Sequence, residues 1–206
     1  FLISGRSLDG VIEGIEYKGD NRFIATPGGY EHATELCKQV NDFNNGILLG
    51  GMQTEPLATP FSFGVAGYPE KHDEAMNLDT DIAHLKAKVA MGAKRIVTQM
   101  FFDNSKYFAF VDRLRSEGIT IPIIPGIKPL TTLNHCTMLP RTFHIDFPQE
   151  LANEFAKCSS NDDVKALGVE WGIQQVRELK EAGVPIVHFY TMNAAYSTEL
   201  IIKQTL

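Results

Sequence analysis

Short apolar runs and helical patterns alternate along this chain. Runs rich in β-branched and aromatic residues fall at 1–4 (FLIS), 61–68 (FSFGVAGY), 95–102 (RIVTQMFF), 122–127 (PIIPGI) and 185–191 (PIVHFYT). Several are apolar nearly throughout, which predicts strands buried on both faces rather than strands with one wet face. Between them the apolar spacing is helical. One pattern covers Tyr30 to Phe43, and a second covers Leu78 to Ala90, with Ile82, Leu85 and Val89 recurring on one face. A third opens at Asn104, read as an N-cap, and closes at Gly118. The longest covers Val164 to Ala182 and is stopped by Gly183 and Pro185, and the last covers Ala194 to Leu206. Residues 10–29 and 44–60 are rich in glycine and read as long loops.

Strand and helix in strict alternation predict a parallel sheet with crossover helices. Such units close either as an open doubly wound sheet or as a barrel. No GxGxxG follows the first strand, and no P-loop is present. Polar residues stand instead at the C-terminal ends of several strands: Tyr68 and His72, Gln99, Lys128, then Thr191 and Asn193. A (β/α)8 barrel builds its active site in that way, from many strand ends at one face. The expected fold is therefore α/β: one domain over 1–206, a partial TIM-type barrel. Five of the eight strands are represented, whereas a whole barrel takes about 250 residues.

Composition narrows the function. The 206 residues are 44% hydrophobic and 21% charged, as in ordinary globular proteins, and the net charge of −6 provides no electrostatic footprint for nucleic acid or an anionic membrane. No apolar run reaches the length of a membrane span, and the first residues lack the basic region and cleavage site of a signal peptide. Cys37, Cys136 and Cys158 are odd in number and irregularly spaced, which predicts reduced thiols in the cytoplasm. Six histidines include no HExxH or comparable spacing, so no metal site is expected, and there is no GxSxG elbow.

Five clusters could carry chemistry, the fifth being the polar end of the last strand in HFYTMN, where the aromatics more often fill a core than touch a substrate. In AGYPEKHDEA (66–75), Pro69 directs the chain out of a buried strand and disfavours helix at Tyr68. Tyr68 can then lie against a flat ligand and His72 can bind a phosphate; alternatively, Tyr68 caps the core and His72 is solvated. Asp81, His84 and Lys88 share one helical face, which either reaches a ligand or is a solvated stripe. Gln99 interrupts an apolar strand, where its amide must be satisfied. It pairs either with a heterocycle such as a pterin or flavin, or with a neighbouring strand end. PIIPGIKP (122–129) forces a specific backbone path, for a ligand or simply for a rigid turn.

AGYPEKHDEA, together with LDTDIAHLKAKVAMGAKRIVTQMFFD (78–103), PIIPGIKP, HFYTMN (188–193) and GGYEHATELCKQVND (28–42), resembles methylenetetrahydrofolate reductase in order and separation, over roughly residues 23–206. The resemblance implies non-covalent FAD, NADH or NADPH as hydride donor, and reduction of methylenetetrahydrofolate to methyltetrahydrofolate, in one-carbon metabolism and methionine biosynthesis. It implies a cytoplasmic homo-oligomer acting on a small folate. It assigns His32, Ala33, Ala66, Tyr68, His72, Glu74, Ala75, Asp81, His84 and Lys88 to FAD, Gln99 to the pterin, and Leu139 to apolar packing against the substrate.

The sequence departs from the family pattern in three places. The family's acid Glu, with Thr and His contacts to FAD, belongs to its first three strands and has no counterpart in these residues, so no catalytic residue is assigned and the 206 residues alone are expected to be inactive. Where the family's fourth strand ends in Leu-Arg-Gly-Asp, the candidates are Arg6 with Asp9, or Asp20. Ala194 replaces an Arg that often follows the last Asn. A different FAD-linked barrel oxidoreductase, or a non-catalytic subunit that needs a partner, remain the alternatives.

Overall fold

The computed structural model describes residues 28–192 and 195–206. The first apolar run, Arg6, Asp9, Asp20, Asn193 and Ala194 lie outside the described residues. Four strands, β1 (Gly64–Gly67), β2 (Arg95–Met100), β3 (Ile123–Ile127) and β4 (His188–Phe189), form one open sheet in the order β1-β2-β3-β4. The β3–β4 pair is parallel, with Gly126 opposite His188 and Ile127 opposite Phe189. The helices are α1 (Ala33–Asn44), α2 (Leu78–Ala90), α3 (Asn104–Ser116), α4 (His135–Phe143), α5 (Gln149–Phe155), α6 (Asn161–Glu181) and α7 (Ala195–Thr205). The α/β class and the partial parallel sheet expected from the pattern are what the structure shows.

By contacts the chain divides into two compact units. The first contains residues up to Ala66 together with Ile82–Ile96. Its helix α1 opens on a carboxylate cap: Glu35 accepts from the amides of Glu31 and His32, at 2.8 and 2.9 Å. Leu36, Cys37 and Gln39 are buried on one side. Beyond α1 the loop at 44–60 is partly ordered by a single 3-10 turn at Leu49–Gly51 and a bridge between Ile47 and Gln53. Gly46 makes that path possible, because it has φ of 75° and a Cβ there would lie 2.2 Å from the Thr54 carbonyl oxygen.

The second unit contains Gly67–Asp81 and Val97–Leu206. Its core gathers Met100, Phe102, Leu130, Leu139, Ile145, Leu151, Phe155 and Val164. Helix α6 comes close to the chain after β3 because position 168 is glycine: a Cβ there would sit 2.2 Å from the Leu130 carbonyl oxygen. The Trp171 indole N–H donates to the Phe102 carbonyl at 3.0 Å, which anchors α6 to the end of β2.

The elements differ from the sequence expectation in four places. The N-cap of α3 is Asp103, whose carboxylate accepts from the Ser105 amide at 2.8 Å, and not Asn104. The Asn104 side chain is buried and donates to the Gln175 carbonyl and the Glu178 carboxylate on α6, at 3.1 and 2.7 Å. Helix α6 starts earlier than Val164, on a capping box formed by Ser160 and Asp163. The last strand shrinks to two residues: Pro185 has no N–H to give a ladder, and Ile186 is exposed. Finally, α4 and α5 occupy a stretch where no helix was expected. They are nine and seven residues long, and Pro140 and Pro148 interrupt any long periodic pattern.

Candidate functional site

In the first unit, Lys88 near the end of α2 extends its ammonium back to the mouth of β1, where it donates to the Ala66 carbonyl at 3.2 Å. The structure thus brings together two of the residues assigned to FAD. Lys88 also faces Cys37, whose thiol burial pushes up while the lysine charge opposes the rise. His84 is exposed on the same helix. His32 and Ala33 lie exposed at the start of α1.

In the second unit, the Tyr68–Ala75 loop is tightly organised. The Tyr68 and His72 rings meet edge-on, with centroids 4.5 Å apart. The buried Asp81 carboxylate accepts from the His72 amide at 2.9 Å, which fixes the loop to the start of α2. His72 Nδ1 accepts from the Glu74 amide at 3.1 Å, so in the neutral ring the proton resides on Nε2. Lys71, at φ 84°, ties the loop from within: its ammonium donates to the carbonyls of His72, Asp73 and Ala75 at 2.9, 3.2 and 2.7 Å. Ala75 is buried, and Glu74 points into solvent. Tyr68, His72 and Asp81 are therefore brought together by short, specific contacts. Their chemistry, an aromatic ring beside an imidazole donor on a rigid loop, fits a flat ring system carrying anionic oxygens.

Gln99 is half-buried near the end of β2, and its Oε1 accepts from the Met100 amide at 2.9 Å. Its Nε2 donates to no group among the described residues. Leu139 on α4 is fully buried and belongs to the core cluster.

Three polar groups in the second unit were given no ligand by the sequence reading, which placed Lys128 among the strand-end polar residues and passed over His135 and Glu70. Lys128, just past β3, is 6% exposed and has no hydrogen bond or ion pair among the described residues. Burial pulls its ammonium below the usual lysine range. His135 opens α4, and burial, helped by the Lys128 charge, pushes its imidazole down to about 4. Its Nδ1 accepts from the Thr131 amide at 3.1 Å, so it stands as a neutral Nε2–H donor beside a cation. Glu70 has one carboxyl oxygen bonded to the Asp146 amide at 3.0 Å and the other buried without a partner among the described residues. Burial raises it to about 7; the Asp146 amide and Lys106 oppose the rise, while the charges of Asp146 and Asp103 add to it. Only Lys128 had a local signal, a charged residue at the end of an apolar run. Among the described residues, no group of His, Cys, Asp and Glu could hold a metal ion, and no helix is long and apolar enough to cross a membrane.

Comparison with known proteins gives this geometry a family. Methylenetetrahydrofolate reductase 1 of Schizosaccharomyces pombe is 33% identical over 186 residues, covering 90% of this chain and 29% of that protein. A probable methylenetetrahydrofolate reductase (NADPH) of Caenorhabditis elegans is 37% identical over 194 residues, covering 93% of this chain and 29% of its own length. The 5,10-methylenetetrahydrofolate reductase of Escherichia coli is 37% identical over 136 residues, covering 66% of this chain and 46% of its own length. The chain thus spans under a third of the first two relatives and under half of the bacterial one. The family model described as methylenetetrahydrofolate reductase matches residues 8–206, and the chain belongs to that family.

Proposed function

We propose that the protein containing this chain reduces methylenetetrahydrofolate to methyltetrahydrofolate, with FAD as cofactor and NADH or NADPH as hydride donor. The observation that carries the reading is the family match over 8–206, which includes the whole Tyr68–Ala75 loop. Relatives named as NADH- and NADPH-dependent reductases support the choice of donor. FAD, when bound, carries the hydride from nicotinamide to folate; the protein's part is to bind and orient the reactants.

For this chain's own residues, the proposal gives Tyr68 and His72 to FAD. Asp81 positions His72 by holding its amide. Gln99 offers its Nε2–H and carbonyl oxygen to the edge of the pterin, a heterocycle with matching donors and acceptors. The activity belongs to the whole protein and not to the 206 residues alone. A cytoplasmic location and assembly as a homo-oligomer belong to the same proposal; the free thiols of Cys37, Cys136 and Cys158 support the location.

The test is to purify the full-length protein, denature it and record the absorbance of the supernatant. A flavin spectrum that runs as FAD, with nicotinamide-dependent reduction of methylenetetrahydrofolate by the native protein, is expected. A colourless protein that cannot be reconstituted with FAD and does not turn over the folate overturns the proposal.

A further inference from the structure

The Tyr68–Ala75 loop is bonded at two places to the turn that follows α4. Glu70 Oε2 accepts from the Asp146 backbone amide at 3.0 Å. Asp73 Oδ2 lies 3.4 Å from Nε2 of His144, the residue that ends α4 in a left-handed conformation at φ 52°. The two contacts differ in kind. The Asp73–His144 pair is exposed, so solvent screens it. The Glu70 bond lies at the surface as well, but the second carboxyl oxygen of Glu70 is buried and has no partner among the described residues. Lys71 holds three carbonyls of the loop, so the loop moves as a body. Whatever fixes Glu70 therefore fixes Tyr68 and His72 as well.

We propose that Glu70 is a positioning residue, which clasps the Tyr68–Ala75 loop to the turn after α4 through the Asp146 amide and thereby sets the loop for the phosphate-bearing cofactor. The proposal rests on the FAD reading for its ligand, and the clasp itself rests on the contacts above.

A glutamine at position 70 would accept the same hydrogen bond, so the carboxyl adds something more, namely a dependence on pH. The groups facing it are Asp146 from the turn after α4, Asp103 at the N-cap of α3 and Lys106 in the first turn of α3; Lys106 also lies 3.5 Å from the Asp146 carboxylate. Burial of the carboxyl first, and then the charges of Asp146 and Asp103, make a negative charge on Glu70 unwelcome, and the Asp146 amide and Lys106 offset only part of that. The protonated acid is therefore the form that fits the clasp. The group's pKa in the fold is raised from 4.5 to about 7, so the clasp is complete below that range and loosens as pH rises through about 7.

The experiment uses the full-length protein as wild type, Glu70→Gln and Glu70→Ala. Hydrogen exchange of the amides of residues 68–75 and 146 is followed at pH 6 and pH 8, corrected for intrinsic exchange. The FAD dissociation constant is measured over the same range by flavin fluorescence. At pH 6, Glu70→Gln should be at least as protected as wild type, while Glu70→Ala should exchange about tenfold faster and bind FAD about five- to tenfold more weakly. At pH 8, wild type should move towards Glu70→Ala, and Glu70→Gln should stay protected and keep its FAD affinity. A Glu70→Gln variant with the wild-type pH dependence, or a Glu70→Ala variant protected like wild type, overturns the clasp. A clasp that responds as stated while FAD affinity stays flat overturns the positioning role. A protein that shows the clasp and binds no FAD at any pH supports the clasp and overturns the cofactor reading instead.

Discussion

The Tyr190 hydroxyl donates to the Thr98 carbonyl at 2.8 Å, reaching from the end of β4 across β3 to β2. The ring can lie there because the residue beneath it is Gly126. A Cβ at that position would sit 2.4 Å from the Thr98 carbonyl oxygen and 2.6 Å from the Tyr190 ring. The Thr98 hydroxyl in turn accepts from the Gly126 amide at 2.9 Å. Burial of the Tyr190 phenol pushes its pKa up to about 12, so it remains a donor throughout the working range. Gly126→Ala is therefore expected to cost about 3 kcal/mol by overpacking against backbone, whereas Tyr190→Phe, which keeps the ring, should cost about 1 kcal/mol. Urea unfolding of the two variants beside wild type measures both; equal costs would show that the hydroxyl, not the space above Gly126, holds the strands.

His135 makes stability depend on pH. Burial, then the Lys128 charge, lowers its pKa from 6.5 to about 4 in the fold. A lowered value means that the neutral ring is the form the fold accepts. Its contribution is thus complete above 6.5 and is lost as pH falls towards 4, by at most about 3 kcal/mol. Glu70 acts in the opposite sense over an overlapping window, so the measurable quantity is a difference between proteins and not a bare slope. Denaturant unfolding of wild type and His135→Gln at pH 7, 5.5 and 4 should show the wild-type advantage shrinking as pH falls. An advantage that stays constant would mean that the imidazole takes up its proton without hindrance.

Gln99 separates the two halves of the proposed reaction. Its Oε1 is held by the Met100 amide, and its Nε2 donates to no group among the described residues. A site that hydrogen-bonds its substrate discriminates strongly when that bond is lost. In the full-length enzyme, Gln99→Ala should slow folate reduction about ten- to a hundredfold and leave flavin reduction by the nicotinamide within about twofold. Rapid-mixing absorbance at the flavin band reads each half-reaction separately. Equal loss in both would move Gln99 from substrate recognition to support of the fold.

The sequence by itself determined where most of the elements lie. Apolar runs buried on both faces located β1, β2 and β3, and helical spacing marked α2 at Leu78–Ala90, because these patterns are local and repeat every second or every third to fourth residue. The segment that places Tyr68 and His72 together was legible for the same reason, since Pro69 and the tight turn act over a few residues. The tertiary structure decided which polar groups lose water and which partners they find across long stretches of chain. Asn104 reads locally as a cap, yet its amide bonds to α6 more than seventy residues away, and the cap passes to Asp103. Glu70 carries no local signal in the sequence, but its carboxyl accepts from the Asp146 amide 76 residues away. Lys128 and His135 acquire shifted pKa values only when the core closes around them. Desolvation is a property of everything that surrounds a group in space, and no window along the chain contains those surroundings.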